Sequence, residues 1–217
     1  NELVDFPGLA QSPYSSTYII GQPLNVINAY HFTGVNANTG VYQFEDMNGD
    51  NLLNSADRKA RGSRDPDFYG GMGNDIKCKK WTLNIFFEFR KQKGRNFLAS
   101  LLNNPPGRMV NQPAIVMDRW RKAGDAGRLQ AFTASTGSAV YKAWTTLGLS
   151  DGIYSDASFV RLKNVMLSYQ LPVKWKGKTF AESARIYLSA QNLLTVTGYE
   201  GGDPETQSLL VLPPLRS

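Results

Sequence analysis

The chain has 217 residues, 41% of them hydrophobic and 19% charged, which excludes a disordered composition and fits one large all-β domain or two ordinary ones. One cysteine, Cys78, excludes an intramolecular disulfide, and one histidine, His31, excludes a His/Cys zinc centre. The net charge of +6 is spread along the chain, and its densest basic run, Arg58 to Arg64, reads as a solvated loop after an acidic stretch, so no nucleic-acid partner is expected.

Twenty glycines and 11 prolines predict many turns and few long helices. No apolar run reaches the roughly 18–20 residues of a spanning helix, and the N-terminus carries no signal-peptide pattern. Membrane-crossing strands stay open, because their alternating signal is far weaker. Residues 1–16 are irregular, with Pro7 and Pro13. "STYIIGQPLNVINAYHFTGV" has strand composition, broken at Gly21 and Pro23 in the manner of a bend or an edge. His31 sits there between aromatics, with no G-x-S-x-G elbow elsewhere, which gives it a structural role. "VYQFED" is the next strand.

That strand runs into "DMNGDNLLNSAD", where Asp46, Asn48 and Asp50 stand two residues apart and Asp57 closes the twelfth position. Calcium takes about six to eight hard oxygen ligands in such a loop. The spacing assigns side-chain oxygens to Asp46, Asn48 and Asp50, a backbone carbonyl to Leu52 and the closing carboxylate to Asp57. Position six is Asn51 rather than glycine, a residue that also tolerates a left-handed backbone. The flanks read as strand and polar loop, so a bound Ca2+ would brace a loop rather than work a helix–loop–helix switch. The other reading is a metal-free turn held by Asx hydrogen bonds, and the spacing leaves both open. No second such loop occurs, which removes a dockerin-like duplication.

After a polar, basic loop to Pro66, "GGMGND" (70–75) is expected to bend the chain ahead of its clearest alternation. Trp81, Leu83, Ile85, Phe87 and Phe89 share one face, while Thr82, Asn84, Phe86, Glu88 and Arg90 share the other. The glycines lack the Lys-Ser/Thr of a phosphate loop, and Cys78, without a partner base, reads as a strand residue. From Gly94 to Ser155 the alternation dissolves over about sixty residues, longer than an ordinary connection. A short helix is expected there over 113–122, with Pro113 at its start. The aromatics Trp120, Phe132, Tyr141, Trp144 and Tyr154 are expected to pack this loop on itself in preference to lining a ligand surface.

Alternation returns in "ASFVRLKNVMLSYQLP". Val165, Leu167, Tyr169 and Leu171 share a face, but Val160 and Leu162 have the opposite parity, which places a bulge near Lys163. "VKWKGKTFAES" is a short connection, "ARIYLSAQNLLTV" a further strand, and the tail is turn-rich. Asp203 and Glu205, like Asp65 and Asp67, flank prolines as turn residues rather than as a glycosidase pair.

Several blocks in one order carry a resemblance. "SDASFVRLKNVMLSYQLP", "ARIYLSAQNLLTVTGYEGGDPE" and "LPPLR" resemble the C-terminal barrel region of SusC/RagA-type TonB-dependent outer-membrane transporters. "YIIGQPL", "TGVYQFEDMNGDNLLNSADR", "DPDFYGGMGND" and "DRWRKAGD" are similar to blocks that precede it in the same family. The resemblance covers nearly the whole chain and is weakest over 123–150. It implies an all-β, antiparallel transmembrane β-barrel segment with long extracellular loops, part of a larger barrel of about 22 strands. Residues 1–217 would then form part of one barrel domain, strand-rich over 16–94 and 157–192, with the long loop 95–155.

The resemblance further implies a cell outer-membrane location, a plug domain outside this chain and contact with TonB through that plug. It implies a SusD-like surface lipoprotein as partner, a glycan or peptide as cargo, the lipid bilayer around the strands, and no enzymatic activity. At about 9–11 residues per crossing, roughly six to eight strands fit here, too few to close a wide barrel. The chain is therefore expected to be one part of a longer polypeptide. The alternative is a soluble secreted β-sandwich with a calcium-braced loop that binds carbohydrate. That fold requires a closed core in which Leu83, Ile85 and Phe87 are inaccessible to solvent.

Overall fold

A computed structural model describes residues 1–172, 174–175, 178–179, 183–208 and 211–217. In chain order the strands are β1 (Val26–Ala29), β2 (Phe32–Val35), β3 (Tyr42–Phe44), β4 (Lys59–Ser63), β5 (Phe68–Cys78) and β6 (Trp81–Lys91). They continue as β7 (Lys93–Arg95), β8 (Tyr154–Asp156), β9 (Phe159–Gln170), β10 (Lys174–Trp175), β11 (Lys178–Thr179) and β12 (Arg185–Thr197). Two short helices, α1 (Phe97–Leu101) and α2 (Ala139–Leu147), fall between β7 and β8. The expected connection over 173–183 lies largely outside the described residues.

The chain divides into two compact units, residues 1–65 with 93–155 and residues 66–92 with 156–217. The second is built on one four-stranded sheet of order β12-β9-β6-β5, antiparallel throughout. Among the described residues no further strand pairs with β5 or β12, although Gln191 of β12 exchanges two backbone hydrogen bonds with Ser217, and no closed barrel is present. The first unit contains small two-stranded pieces, β1–β4 and β2–β3, around a packed core.

That core joins Tyr42 of β3 to Leu98 and Leu101 of α1, Val116, Leu129, Trp144 and Leu147 of α2, and Ile153. Tyr42 and Trp144 stack at 6.0 Å between ring centroids, and Phe32 meets Tyr42 edge-on at 5.0 Å. The segment without strand alternation therefore supplies most of the apolar interior. Of its aromatics, Trp144 is buried and Phe132 and Tyr154 pack against the core. Helix α2 has no counterpart in the sequence reading. Ser138 caps it by accepting from the amide of Tyr141, and Trp144 and Leu147, three residues apart, put their bulk on one side.

Three local expectations are corrected. "GGMGND" is not a bend but the middle of the 11-residue strand β5, and the turn is Lys79–Lys80, with Lys79 at φ 54°. Its glycines make room for aromatic rings from β6: a Cβ on Gly70 would lie 2.7 Å from the Phe89 ring, and one on Gly71 2.5 Å from Phe86. Such aromatic cover of strand glycines restores the packing that glycine lacks. The basic stretch after Asp57 is not a loop but β4, paired antiparallel with β1. The helix expected over 113–122 shrinks to a 3-10 turn, Ala114–Met117, because the chain then turns to pair Trp120 N with Leu129 O and Leu129 N with Asp118 O.

Candidate functional site

Register fixes which side chains share each face of the large sheet. On one face, Ile76 of β5, Leu83 of β6, Leu167 of β9 and Leu188 of β12 stand in one cross-strand row. The next row towards the other end is Asn74, Ile85, Val165 and Ala190. At the bulge the face is restored: Phe86 pairs with Asn164 and Phe87 with Leu162, which leaves Lys163 as the extra residue. Without that insertion Val160 and Leu162 would turn to the polar side.

This apolar face is uncovered among the described residues. Leu188 is 74% exposed and Ile186 61%, and Leu83, Ile85 and Phe87 are only half-buried. A soluble sandwich needs these side chains inside a closed core, and they are not. The face is bounded by aromatics: Trp81 and Tyr169 meet at 4.7 Å at one end, and Phe68 and Phe89 at 6.3 Å at the other. The 11 residues of β6 rise about 34 Å along the strand, or about 25 Å across a layer when tilted by about 40°.

The opposite face carries charge arranged in alternation. Arg161 of β9, only 1% exposed, donates from one terminal nitrogen to Asp203 Oδ2 at 2.5 Å and from the other to Glu205 Oε2 at 2.7 Å. Lys163 reaches both Glu205 and Glu88 at 3.0 Å, and Glu88 accepts from Arg90 at 3.1 Å. Three cations and three carboxylates thus close on one another, the condition under which buried charge is tolerated. Asp203 and Glu205 do occupy a turn as expected, since Asp203 Oδ1 accepts from the amides of Glu205 and Thr206. Their second duty, holding Arg161, is invisible in the turn sequence. The amide of Gln92 adds a bond to the carbonyl of Pro204 at 2.7 Å.

The loop Asp46–Asp57 belongs to the first unit. Asp46 accepts from the amides of Gly49 and Asn51, each at 2.7 Å, through its two oxygens. Asn48 accepts from the amide of Asp50 at 3.1 Å, and Asp50 from that of Leu52 at 2.7 Å. The Leu52 carbonyl accepts from the Asn54 side chain at 3.1 Å. Asn51 adopts φ 62°, the left-handed backbone that position six of the spacing requires. Asp57 is fully buried and accepts from Met47 N at 2.9 Å and Asn54 N at 2.8 Å, completing a capping box with Asn54. The Asn54 amide, above all, lowers its pKa below the usual carboxylate range, with Met47, Asn48 and Asp46 adding to this against the opposing effect of burial. The donor types suit a hard cation. Each oxygen of Asp46 and Asp57 nevertheless already accepts an amide, and among the described residues no three His, Cys, Asp or Glu side chains converge as a metal cage.

The lone histidine is a bracket. Its Nδ1 lies 2.7 Å from Asp151 Oδ2, whose other oxygen accepts from Phe32 N at 2.8 Å. Arg61 lies between Asp151 at 3.9 Å and Glu45 at 3.4 Å. Cys78 is exposed at the end of β5. Among the described residues no helix is long and apolar enough to cross a membrane, which says nothing of crossing by strands.

Comparison with known proteins places these features in context. No protein-family model matches the chain. It is 33% identical over 162 residues to TonB-dependent receptor P3 of Formosa agariphila, covering 75% of this chain and 15% of that protein. It is 23% identical over 176 residues to TonB-dependent receptor SusC of Bacteroides thetaiotaomicron, covering 76% of this chain and 15% of SusC. Among solved structures, the RagAB peptide importer in its open-open state matches with a TM-score of 0.67 at 26% identity, over 89% of this chain and 21% of that one. The chain thus spans about 15% of the length of the curated relatives just described. These relatives belong to a non-enzymatic transport family. By sequence and by fold, the chain is a homologue of a small portion of the SusC/RagA-family TonB-dependent receptors.

Proposed function

We propose that the chain is the C-terminal barrel portion of a TonB-dependent outer-membrane importer of glycans or peptides that works with a SusD-like surface lipoprotein. The observation that carries this reading is the large sheet, apolar and uncovered on one face and charge-paired on the other. In a bilayer the apolar face of β5, β6, β9 and β12 contacts lipid, with Trp81 and Tyr169 at one interface. The ladder from Arg90 to Asp203 lines the lumen, where water and fixed counter-charges replace lipid. The remaining strands of a barrel of about 22 then protect the open edges of β5 and β12, which lipid would not tolerate. TonB acts through a plug outside this chain. The first unit supplies extracellular structure, and its Asp46–Asp57 loop is a brace. Ca2+, when bound, would add charge neutralisation for Asp46, Asp50 and Asp57, with Asn48 and the Leu52 carbonyl as neutral donors.

The test is lipid accessibility in the intact receptor reconstituted into vesicles. Nitroxide labels placed singly at positions 186–191 should alternate, with even positions reached by lipid-phase oxygen and odd positions by a water-soluble nickel chelate. Equal access of the nickel chelate to both sets would rule the reading out. For the brace, chelation in 5 mM EDTA (a concentration of about that order suffices at the affinities of such loops) should lower the melting temperature of the intact receptor. An unchanged value leaves the loop as a metal-free Asx turn.

A further inference from the structure

We propose that the short-turn end of the large sheet is a docking surface for anionic phospholipid headgroups in the periplasm-facing leaflet. The inference rests on the barrel reading above and adds to it the charge of the lipid.

The geometry is a succession of rows at one end of the second unit. The last row of the apolar face is Trp81 of β6, Tyr169 of β9 and Ile186 of β12. One residue further out, about 3.4 Å along the strands, stand Lys80, Gln170 and Arg185, and Gln170 N donates to Lys80 O at 2.9 Å. Lys79 completes the turn, and Lys77 pairs with Thr82 beside it. Lys77, Lys79, Lys80 and Arg185 are all exposed. The connection from β9 to β12 starts at the same end, where Leu171 N donates to Ala184 O at 2.9 Å. Its sequence adds Lys174, Lys176 and Lys178 against one carboxylate, Glu182.

Charge pairing separates this end from the rest of the sheet. Elsewhere Arg90 has Glu88, Lys91 has Asp156, Arg161 has Asp203 and Glu205, and Lys163 has Glu88 and Glu205. Among the described residues Lys77, Lys79, Lys80 and Arg185 form no ion pair. The nearest acid along β5, Asp75, accepts from the Asn84 side chain. Unmatched cations just beyond an aromatic row suit a phosphate at headgroup level, with the rings at the boundary below it. A zwitterionic lipid brings its own ammonium, so an excess of protein cations favours a lipid of net negative charge.

Connection lengths select the leaflet. At this end β5 passes to β6 through Lys79 and Lys80 alone, whereas at the other end residues 92–158 separate β6 from β9. Short turns of outer-membrane barrels face the periplasm, where the leaflet is glycerophospholipid. The phosphates of lipid A belong to the opposite leaflet.

The experiment uses the intact receptor in phosphatidylcholine nanodiscs, with a bimane fluorophore on Cys78, which is exposed in the same row as Trp81, and any other cysteines replaced. Lipids brominated in the upper acyl chain quench the label on contact. Brominated phosphatidylglycerol should associate about fivefold more strongly than brominated phosphatidylcholine or phosphatidylethanolamine, the factor expected of one unmatched cation at an anionic surface. The preference should vanish in about 1 M salt. Arg185→Gln should lower it, and Lys79→Gln with Lys80→Gln and Arg185→Gln should abolish it. Lys91→Gln, at the opposite end of the same face, should leave it unchanged. Equal quenching by all three lipids, a preference that survives the triple change or high salt, or stronger quenching by brominated lipid A would overturn the proposal. So would displacement of phosphatidylglycerol by soluble polyglutamate, which would assign this end to an acidic protein. Equal quenching by all lipids leaves the lipid-facing reading of the sheet standing, whereas no quenching by any of them sinks both.

Discussion

The two units solve the burial problem in opposite ways. The second has the regular structure, strands of 11 to 13 residues in one sheet, yet its buried side chains include Arg161 and Ser168, while Leu188 and Ile186 stand outside. The first has short strands, 3-10 turns and two small helices, yet it holds the apolar cluster from Tyr42 to Ile153. Regular backbone pairing and hydrophobic burial are therefore separate achievements in this chain. A sheet can place its apolar side chains outward only where the surrounding medium is itself apolar, and irregular backbone is tolerated where water and side chains satisfy its polar groups.

This contrast can be broken first at the core of the first unit. Trp144→Ala, which empties the site stacked on Tyr42, should cost about 3–5 kcal/mol, measured by denaturant unfolding of the intact receptor followed by proteolysis of residues 93–155. Loss of less than about 1 kcal/mol would mean that the core does not stabilise the unit. In the second unit the corresponding lesion is polar. Arg161→Met leaves Asp203 without its cation and Glu205 with Lys163 alone, and should cost about 3 kcal/mol. Adding Asp203→Asn and Glu205→Gln should restore much of that loss, and a triple variant no better than the single one would refute the pairing.

The outward face gives a third, smaller and environment-dependent effect. Leu167→Arg should cost about 2–4 kcal/mol when β9 sits at the bilayer midplane, and close to nothing if the same face meets water. Folding yields in lipid vesicles compared with the wild type distinguish these. The smallest effect concerns Asp57, whose folded pKa is depressed. Such a group contributes stability that is present above its unfolded pKa, near 4, and is lost as the pH falls through the folded value. Melting of the wild type should therefore soften below about pH 4. Asp57→Asn should be less stable at neutral pH and less sensitive to acid. Parallel pH curves for the two proteins would show that the buried carboxylate carries no linkage.

Much of the second unit was legible in residues alone. Trp81 to Phe89 announce their face because strand periodicity is local, and the parity change between Leu162 and Val165 located the bulge at Lys163 for the same reason. The glycines at 70, 71 and 73 misled, since their usual meaning is a turn. Only the cross-strand register reveals that Phe86 and Phe89 fill the space above them. The candidate calcium loop was legible as a spacing, and Asn51 does take the left-handed backbone. The same spacing also left open a turn held by Asx hydrogen bonds, and the carboxylates do close the loop through backbone amides. Helix α2 left a cap at Ser138 and a pair at Trp144 and Leu147, but its threonines at 145 and 146 dilute the helical signal.

By itself, the sequence determined the long strands, their faces, the ordered blocks that mark the family and the ligand rhythm of one loop, because each depends on neighbours within a few residues. Only the tertiary structure decided that Arg161 meets Asp203 and Glu205 some forty residues away, that His31 is held by Asp151, and that Lys80 stands at the same end of the sheet as Arg185. Those pairings rest on long-range chain return, and charge says nothing about its partner until the backbone has brought the two together.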